Sequence, residues 1–185
     1  MFIQTESTPN PATLKFLPGQ AVLEAGTADF PNVDASKKSP LASRIFSVNG
    51  VTGVFFGNDF VTVTKDEGSQ WDHIKPAILG AIMEHFVSGA PIMEGTDNSG
   101  GHAEHSGENS EIVVQIKELL DTRVRPAVAQ DGGDITFHGF DRGVVYLTMQ
   151  GACAGCPSST LTLKMGIENL LRHYIPEVLE VRPVA

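Results

Sequence analysis

Basic charge and long apolar runs are what this sequence has least of. Its 185 residues include 13 Lys and Arg against 22 Asp and Glu, a formal net charge of -9. Binding to a nucleic acid backbone needs clustered Lys and Arg to neutralise phosphates, so no nucleic acid partner is expected. No apolar run approaches the roughly 20 residues that cross a bilayer, so no membrane partner is expected either.

Cysteine is also scarce. The only two, Cys153 and Cys156, are separated by two residues. A pair this close cannot staple distant parts of the fold, which excludes the disulfide framework of a small secreted protein. Residues 1–6 have neither the basic and apolar regions of a secretion signal nor the Arg and Ser of a transit peptide. These features together predict a protein of a reducing compartment.

One segment has almost no side chains that could form a core. Residues 94–110 contain a single Ala, no larger apolar residue and no Lys or Arg. Such a composition predicts a flexible linker between two small domains, residues 1–93 and residues 111–185. His102 and His105 lie inside it, and we expect them to be solvated rather than metal-bound.

The first domain is predicted to be a small α+β unit. Residues 13–17 alternate like a strand, residues 39–46 favour a short helix capped by Ser39, and residues 51–64 indicate a hairpin. A longer helix is predicted from Trp71 to Phe86, with Ser69 and Asp72 as its capping pair. Without a cysteine or a phosphate-binding loop, this domain is interpreted as a recognition or stabilising module.

The second domain is predicted to follow the order α-β-β-α-β. An amphipathic helix over residues 112–124 is expected to end at Pro126, and residues 131–134 predict a tight turn. Strands are predicted at residues 135–140 and 144–149, then a helix after the cysteines and a strand at residues 178–182. We interpret Asp131 and Asp134 as turn-forming residues rather than metal ligands.

The cysteine loop is the expected seat of the chemistry. The residues around the two thiols are very small, namely Gly151, Ala152, Ala154 and Gly155. The backbone can therefore wrap closely around a bound object. Pro157 suits the first position of the next helix, which places both thiols near the positive end of its dipole and predicts a lowered pKa for them. These features suit metal ligation and disulfide exchange equally well.

The number of ligands helps to choose between the alternatives. Closed zinc and iron-sulfur sites use four protein ligands, but one chain supplies two sulfurs. His138 and His173 have no ligand-like spacing to the loop, so a symmetric dimer sharing one centre is favoured. Four thiolates also suit zinc. A dithiol-disulfide oxidoreductase is the other alternative, disfavoured because a hairpin rather than a βαβ unit is expected around the loop.

Two motifs carry a family resemblance. The segments at residues 131–135 and 151–159 resemble the C-terminal domain of NifU, as found in the Nfu family of iron-sulfur cluster scaffolds and carriers. Residues 8–12 and the helix near residues 71–89 resemble the Nfu N-terminal domain. Full-length NifU also has an N-terminal cysteine scaffold domain and a central ferredoxin-like domain, and neither is recognisable in this sequence. We therefore expect the protein to carry clusters that are made elsewhere rather than to assemble new ones.

The resemblance implies a non-enzymatic role. Cys153 and Cys156 would ligate a labile 4Fe-4S cluster that bridges two subunits and is passed to recipient apo iron-sulfur proteins. The chain would form a homodimer when cluster-bound and would meet upstream cluster-assembly proteins. No catalytic residue is implied. The expected compartment is the bacterial cytoplasm, or the mitochondrial matrix for a processed eukaryotic form.

Overall fold

The chain folds as two compact units, Met1–Gly100 and Gly101–Ala185. The computed structural model describes residues 2–94, 110–153 and 157–184, with the side chains of residue 110 and residues 157–160 left out. Most of the predicted linker, including His102 and His105, therefore lies outside the described residues. Within the described part of the chain, each helix is too short or too polar to cross a bilayer.

The first unit is an antiparallel sheet with helices. Its strands are β1 (Gln4–Ser7), β2 (Thr13–Leu17), β3 (Ala28–Phe30), β4 (Val51–Phe56) and β5 (Val61–Lys65). They lie in the order β1-β2-β5-β4-β3. A 3-10 turn (Ala35–Lys38) precedes α1 (Pro40–Phe46), and α2 (Trp71–Ser88) follows the sheet. Strands β1 and β3, at the two edges of the sheet, were not predicted because they are short and only weakly patterned.

The core of the first unit is formed by one face of the sheet and by the inward sides of both helices. Alternation along the strands directs Phe16, Val61 and Val63 to this face, where each is buried. Ile78 and Ile82, four residues apart on α2, are fully buried against the same cluster. The periodic apolar residues that predicted α2 are thus the residues that attach it to the sheet.

Of the two capping residues predicted for the helices of the first unit, one is confirmed and one is wrong. Ser39 caps α1 as predicted, since its hydroxyl oxygen accepts a hydrogen bond of 3.1 Å from the Ala42 N–H. The prediction that Ser69 caps α2 is wrong. The cap position is occupied by Gln70, whose side chain makes no capping bond. The Ser69 side chain instead lies over Gly50, where a Cβ would meet its hydroxyl oxygen at 2.2 Å.

Asp29 gives the first unit a pH dependence. Burial raises the pKa of this carboxyl group to about 6, although a backbone hydrogen bond at Phe30 opposes the rise. Between about pH 4 and pH 6, the folded state binds a proton that the unfolded chain has already released. The contribution of this group to the free energy of unfolding is therefore fully present below about pH 4 and is lost as the pH rises through about 6. We expect Asp29→Asn to raise the free energy of unfolding by about 1–2 kcal/mol near pH 7.5, and by almost nothing near pH 4.

The Asp29 effect can be measured by urea unfolding followed through Trp71, the single tryptophan, which begins α2 and reports on the first unit. Asp59→Asn is the matched control, because Asp59 is an exposed carboxylate of the same unit. Equal pH profiles for wild type and Asp29→Asn would show that burial at Asp29 does not set the dependence.

The second unit follows the predicted order α-β-β-α-β. Its elements are α3 (Ser110–Leu119), a π-helical turn (Leu120–Val124), α4 (Arg125–Gln130), β6 (Gly133–Asp141), β7 (Val144–Gly151), α5 (Pro157–Tyr174) and β8 (Glu180–Val184). Strands β6 and β7 form the predicted antiparallel hairpin, and β8 lies parallel to β7 at the other side. Both units mix helices and strands, which confirms the α+β class.

The helix before the turn continues beyond its predicted end. Pro126 does not stop it, because the π-helical turn lies between α3 and α4 and Pro126 sits at the start of α4. A proline in the first turn of a helix loses no intrahelical hydrogen bond, and the wider turn before it removes the clash that proline makes in a regular helix. The continued helix carries Arg125 toward the strand that begins at Gly133.

Candidate functional site

The cysteine loop joins β7 to α5. Strand β7 ends at Gly151, where a φ of +66° turns the backbone out of the sheet, and α5 begins at Pro157 as predicted. Cys153 is described and lies two residues after the strand end. Cys156, the second predicted ligand, lies outside the described residues.

Cys153 is buried in the core of the second unit. Its exposed fraction is 6%, and it packs in the core of the second unit with Ile135 and Ile167. Burial raises the pKa of its thiol to about 12, and the charges of Asp131 and Asp134 add to the rise. The predicted lowering of its pKa is therefore wrong in this arrangement, because desolvation and two nearby carboxylates outweigh the helix dipole.

The turn before β6 lies directly against the Cys153 sulfur. Gly132 has a φ of +82°, as predicted for a tight turn, and its carbonyl accepts a hydrogen bond of 3.2 Å from the Ala152 N–H. At Gly133 a Cβ would lie 2.6 Å from Cys153 Sγ and 2.8 Å from the Gln150 carbonyl oxygen. Gly133 is thus a glycine because the loop backbone and the sulfur occupy the space of a side chain.

Asp134 ties this turn to α4. Its two carboxylate oxygens accept hydrogen bonds of 2.9 and 2.8 Å from Nε and Nη2 of Arg125, and Oδ1 also accepts the Ile135 N–H at 2.8 Å. The side chain of Asp134 is only 4% exposed, whereas Asp121, the second partner of Arg125, is 46% exposed. The interpretation of Asp134 as a structural residue is supported by this bidentate ion pair.

Sequence reasoning missed three contributors to the site. Arg125 lies at the predicted end of the first helix of this unit and was given no role in the site, and Gly133 was assigned only to a tight turn. Gln150, which pairs with Asp134 across the hairpin, has a buried Oε1 without a hydrogen-bond partner among the described residues. Arg125 before Pro126 and the glycines before Asp134 were visible in the sequence. Only the fold brings them to Cys153, through the Arg125–Asp134 ion pair and the register of β6 with β7.

Two histidines of the second unit that were not expected to be ligands are both exposed. His138 is exposed on β6, and His173 is exposed near the end of α5 with its ring against Tyr174. Among the described residues, no three His, Cys, Asp or Glu side chains converge as a metal site.

The strands and helix around the cysteine loop bear on the oxidoreductase alternative. We disfavoured an oxidoreductase because a hairpin was expected to precede the loop, and that hairpin exists. However, β7, α5 and the parallel β8 also form a βαβ unit, so the scaffold does not separate the alternatives. A thiol that is 6% exposed, with a raised pKa, is a poor nucleophile for disulfide exchange. A metal ion can displace the proton on binding.

Two family models match the chain, one to each unit. The Nfu/NifU scaffold N-terminal model matches residues 3–89, and the NifU-like domain model matches residues 116–182. Fold and loop define a two-unit α+β protein that carries a cysteine pair between a strand and a helix. The chain belongs to the Nfu family of NifU-like proteins.

Proteins of the same family are similar along the whole chain. NifU-like protein 4, mitochondrial, of Arabidopsis thaliana is 56% identical, with 96% of this chain aligned to 64% of that protein. The NFU1 iron-sulfur cluster scaffold homolog, mitochondrial, of Drosophila erecta is 54% identical over 100% of this chain and 65% of its own length. The chain thus spans just under two thirds of these relatives. The solution structure of a NifU-like protein from Saccharomyces cerevisiae is 28% identical, with a TM-score of 0.47, covering 52% of this chain and 87% of its own.

Proposed function

We propose that this protein carries a 4Fe-4S cluster on Cys153 and Cys156 of two copies and delivers it to apo iron-sulfur proteins. The observation that carries the proposal is the cysteine pair itself. The chain has only these two thiols, and they occupy the strand-to-helix loop of a NifU-like domain. Relatives named iron-sulfur cluster scaffolds support the same role.

The cluster is the cargo of this process rather than a resident cofactor. Two copies supply four thiolates, the number that a 4Fe-4S cluster requires. In each exchange step, the sulfur of a recipient thiol forms a bond to one iron while the bond from that iron to Cys153 or Cys156 breaks. The proton of the recipient thiol passes to the released cysteine, and no electron is transferred. Because each copy holds only half of the ligands, separation of the copies favours release.

The two units have separate roles in this proposal. The domain boundaries, residues 1–93 and 111–185 with a flexible linker at 94–110, are part of it. A flexible link lets the first unit hold a recipient or an upstream assembly protein while the loop approaches it, which raises the local concentration of the loop. The acidic charge of the chain favours partners with basic surfaces. No enzymatic step is required of any residue.

The names of the relatives also bear on the compartment. Two alternatives were expected, a bacterial cytoplasm and a mitochondrial matrix. The relatives that match the chain carry the word mitochondrial in their names, which supports the matrix. Either compartment keeps Cys153 and Cys156 reduced, as cluster binding requires.

The first test is anaerobic reconstitution with iron and sulfide, followed by native mass spectrometry. We expect a dimer that carries one four-iron, four-sulfide cluster. Cys156→Ser and Cys153→Ser should each lose the cluster, because a dimer of either variant keeps only two of the four thiolates. Circular dichroism checks that both variants fold. The second variant, at a buried position, can lower stability, so Cys156→Ser is the decisive one.

Other outcomes assign the loop to the alternatives. A monomer lighter by two hydrogens, with insulin-reduction activity that Cys153→Ser removes, would indicate a dithiol-disulfide oxidoreductase. A dimer that holds only zinc, and keeps it in the presence of an apo 4Fe-4S acceptor protein, would indicate a structural zinc site. Both results would overturn the carrier proposal.

A further inference from the structure

Helix α5 has an uncharged outward face directly after the cysteine loop. Leu161 and Met165, one turn apart, are 58% and 57% exposed. The opposite side of the helix is attached to the sheet through Ile167 and Leu171, which are 2% and 0% exposed. The outward residues of these turns are Leu161, Thr162, Met165, Gly166 and Asn169, and all are exposed. We call this set the α5 face.

Gly166 is unexplained by the packing of its own chain. A Cβ built there meets no atom within 4 Å, and the residue lies in the middle of an 18-residue helix. Gly in a helix interior costs roughly 0.5–1 kcal/mol relative to Ala, so the chain is less stable with Gly than it could be. A glycine on an outward helix face permits another backbone to approach closely.

We propose that the α5 face is the surface through which two copies of this chain contact each other when they share the cluster. This inference rests on the proposed function. The cluster site is incomplete with one chain, since the only two thiols supply half of the ligands. Leu161 lies about 6 Å, and Met165 about 12 Å, along the helix axis from Pro157, where α5 leaves the loop.

A two-fold axis through the shared cluster would bring the α5 faces of the two copies into contact. Two loops that hold one cluster bring the first turns of both α5 helices near the two-fold axis, where the same residues meet one another. Near a two-fold axis a charged side chain meets the same charge on the other copy, so charged residues there repel each other. The α5 face contains no charged side chain and avoids that repulsion. The first charged residues on the same side are Glu168, two turns past Leu161, and Arg172, two turns past Met165, and these two side chains lie 3.9 Å apart as an ion pair.

The size of the face sets how the contact works. Two large apolar side chains per copy bury far less than the roughly 800 Å² per partner of a stable dimer. The face therefore does not hold two copies together without the cluster. It adds to the four iron-thiolate bonds, and the dimer dissociates when they exchange.

The test compares cluster-loaded wild type with Leu161→Glu combined with Met165→Glu, by native mass spectrometry and sedimentation velocity. We expect the double variant to hold at least tenfold less cluster-bridged dimer at equal protein concentration. Val114→Glu is the matched control, because Val114 is 61% exposed on α3 of the same unit. It should stay within twofold of wild type.

A second variant separates self-contact from folding. Gly166→Ala should raise the unfolding temperature of the apo protein, because Ala favours the helix, yet shorten the lifetime of the cluster-bridged dimer. Gly80→Ala is its control: Gly80 lies inside α2 and a Cβ there also meets nothing within 4 Å. It should stabilise the first unit and leave the dimer lifetime unchanged.

The remaining outcomes each overturn the inference. A double variant with wild-type dimer and cluster that transfers slowly to an apo acceptor would assign the α5 face to recipients. A double variant unaffected in both respects would leave the face without a role. If wild type itself forms no cluster dimer, the proposed function fails and this inference fails with it, a result that wild type alone reveals.

Discussion

Replacing Arg125 by Met should cost the second unit about 2–4 kcal/mol of unfolding free energy. Arg125 meets Asp134 through two hydrogen bonds, and the Asp134 side chain is 4% exposed. Met fills a similar volume but removes both guanidinium hydrogen bonds from a buried carboxylate, and a buried charge that loses its counter-ion is expensive. Because Asp134 anchors the turn against Cys153, we also expect about tenfold less cluster retained.

The Arg125 prediction is checked by urea unfolding followed by circular dichroism, with Trp71 fluorescence as a separate report on the first unit. Arg125→Met with Asp134→Asn should recover part of the loss, since the pair is then removed together. Arg125→Lys should lie between wild type and Met, because it keeps the charge but loses the planar fork. Additive losses in the double variant would show that the ion pair is not the cause.

Gly133→Ala should cost about 2–3 kcal/mol and lower cluster retention by roughly tenfold or more. The new methyl group would lie 2.6 Å from Cys153 Sγ and 2.8 Å from the Gln150 carbonyl oxygen. A flexible side chain could move aside, but a strand carbonyl and a sulfur in a packed core cannot do so without shifting the loop. The proposed ligand Cys153 would therefore be displaced from its position.

Gly166→Ala is the matched control for the stability of the apo protein, because the same substitution in the same unit meets open space and should be stabilising. Combining Gly133→Ala with Cys153→Ala removes the sulfur contact but keeps the carbonyl contact, so it should restore part of the stability lost on adding the methyl group. Equal losses in the presence and absence of the sulfur would rule out the close contact as the source.

The two predictions share a physical basis. The proposed ligand Cys153 is held in place by residues that are distant in sequence. Each of them acts through packing or hydrogen bonds and takes no part in binding the cluster. Arg125 fixes Asp134, Asp134 fixes the turn, and Gly133 leaves the space in which the sulfur lies. Weakening any of them changes the geometry of the loop while both thiols remain.

Local patterns in the sequence were sufficient for several features. Apolar spacing predicted α2 and α5, strand alternation predicted β6 and β7, and Ser39 predicted its own capping bond. The cysteine pair among very small residues predicted the proposed site. These features depend on contacts between residues close in the chain, so short windows of sequence contain the information they need.

Long-range packing decided the rest. The raised pKa of Cys153 comes from burial in the core of the second unit and from Asp131 and Asp134, which outweigh the local effect of the helix end. The continuation of the helix past Pro126 depends on a π-helical turn that residue propensities do not specify. The sequence by itself determined which residues could bind a cluster. Only the tertiary structure decided how Cys153 is held, because β-strand register and core packing join residues that the sequence separates.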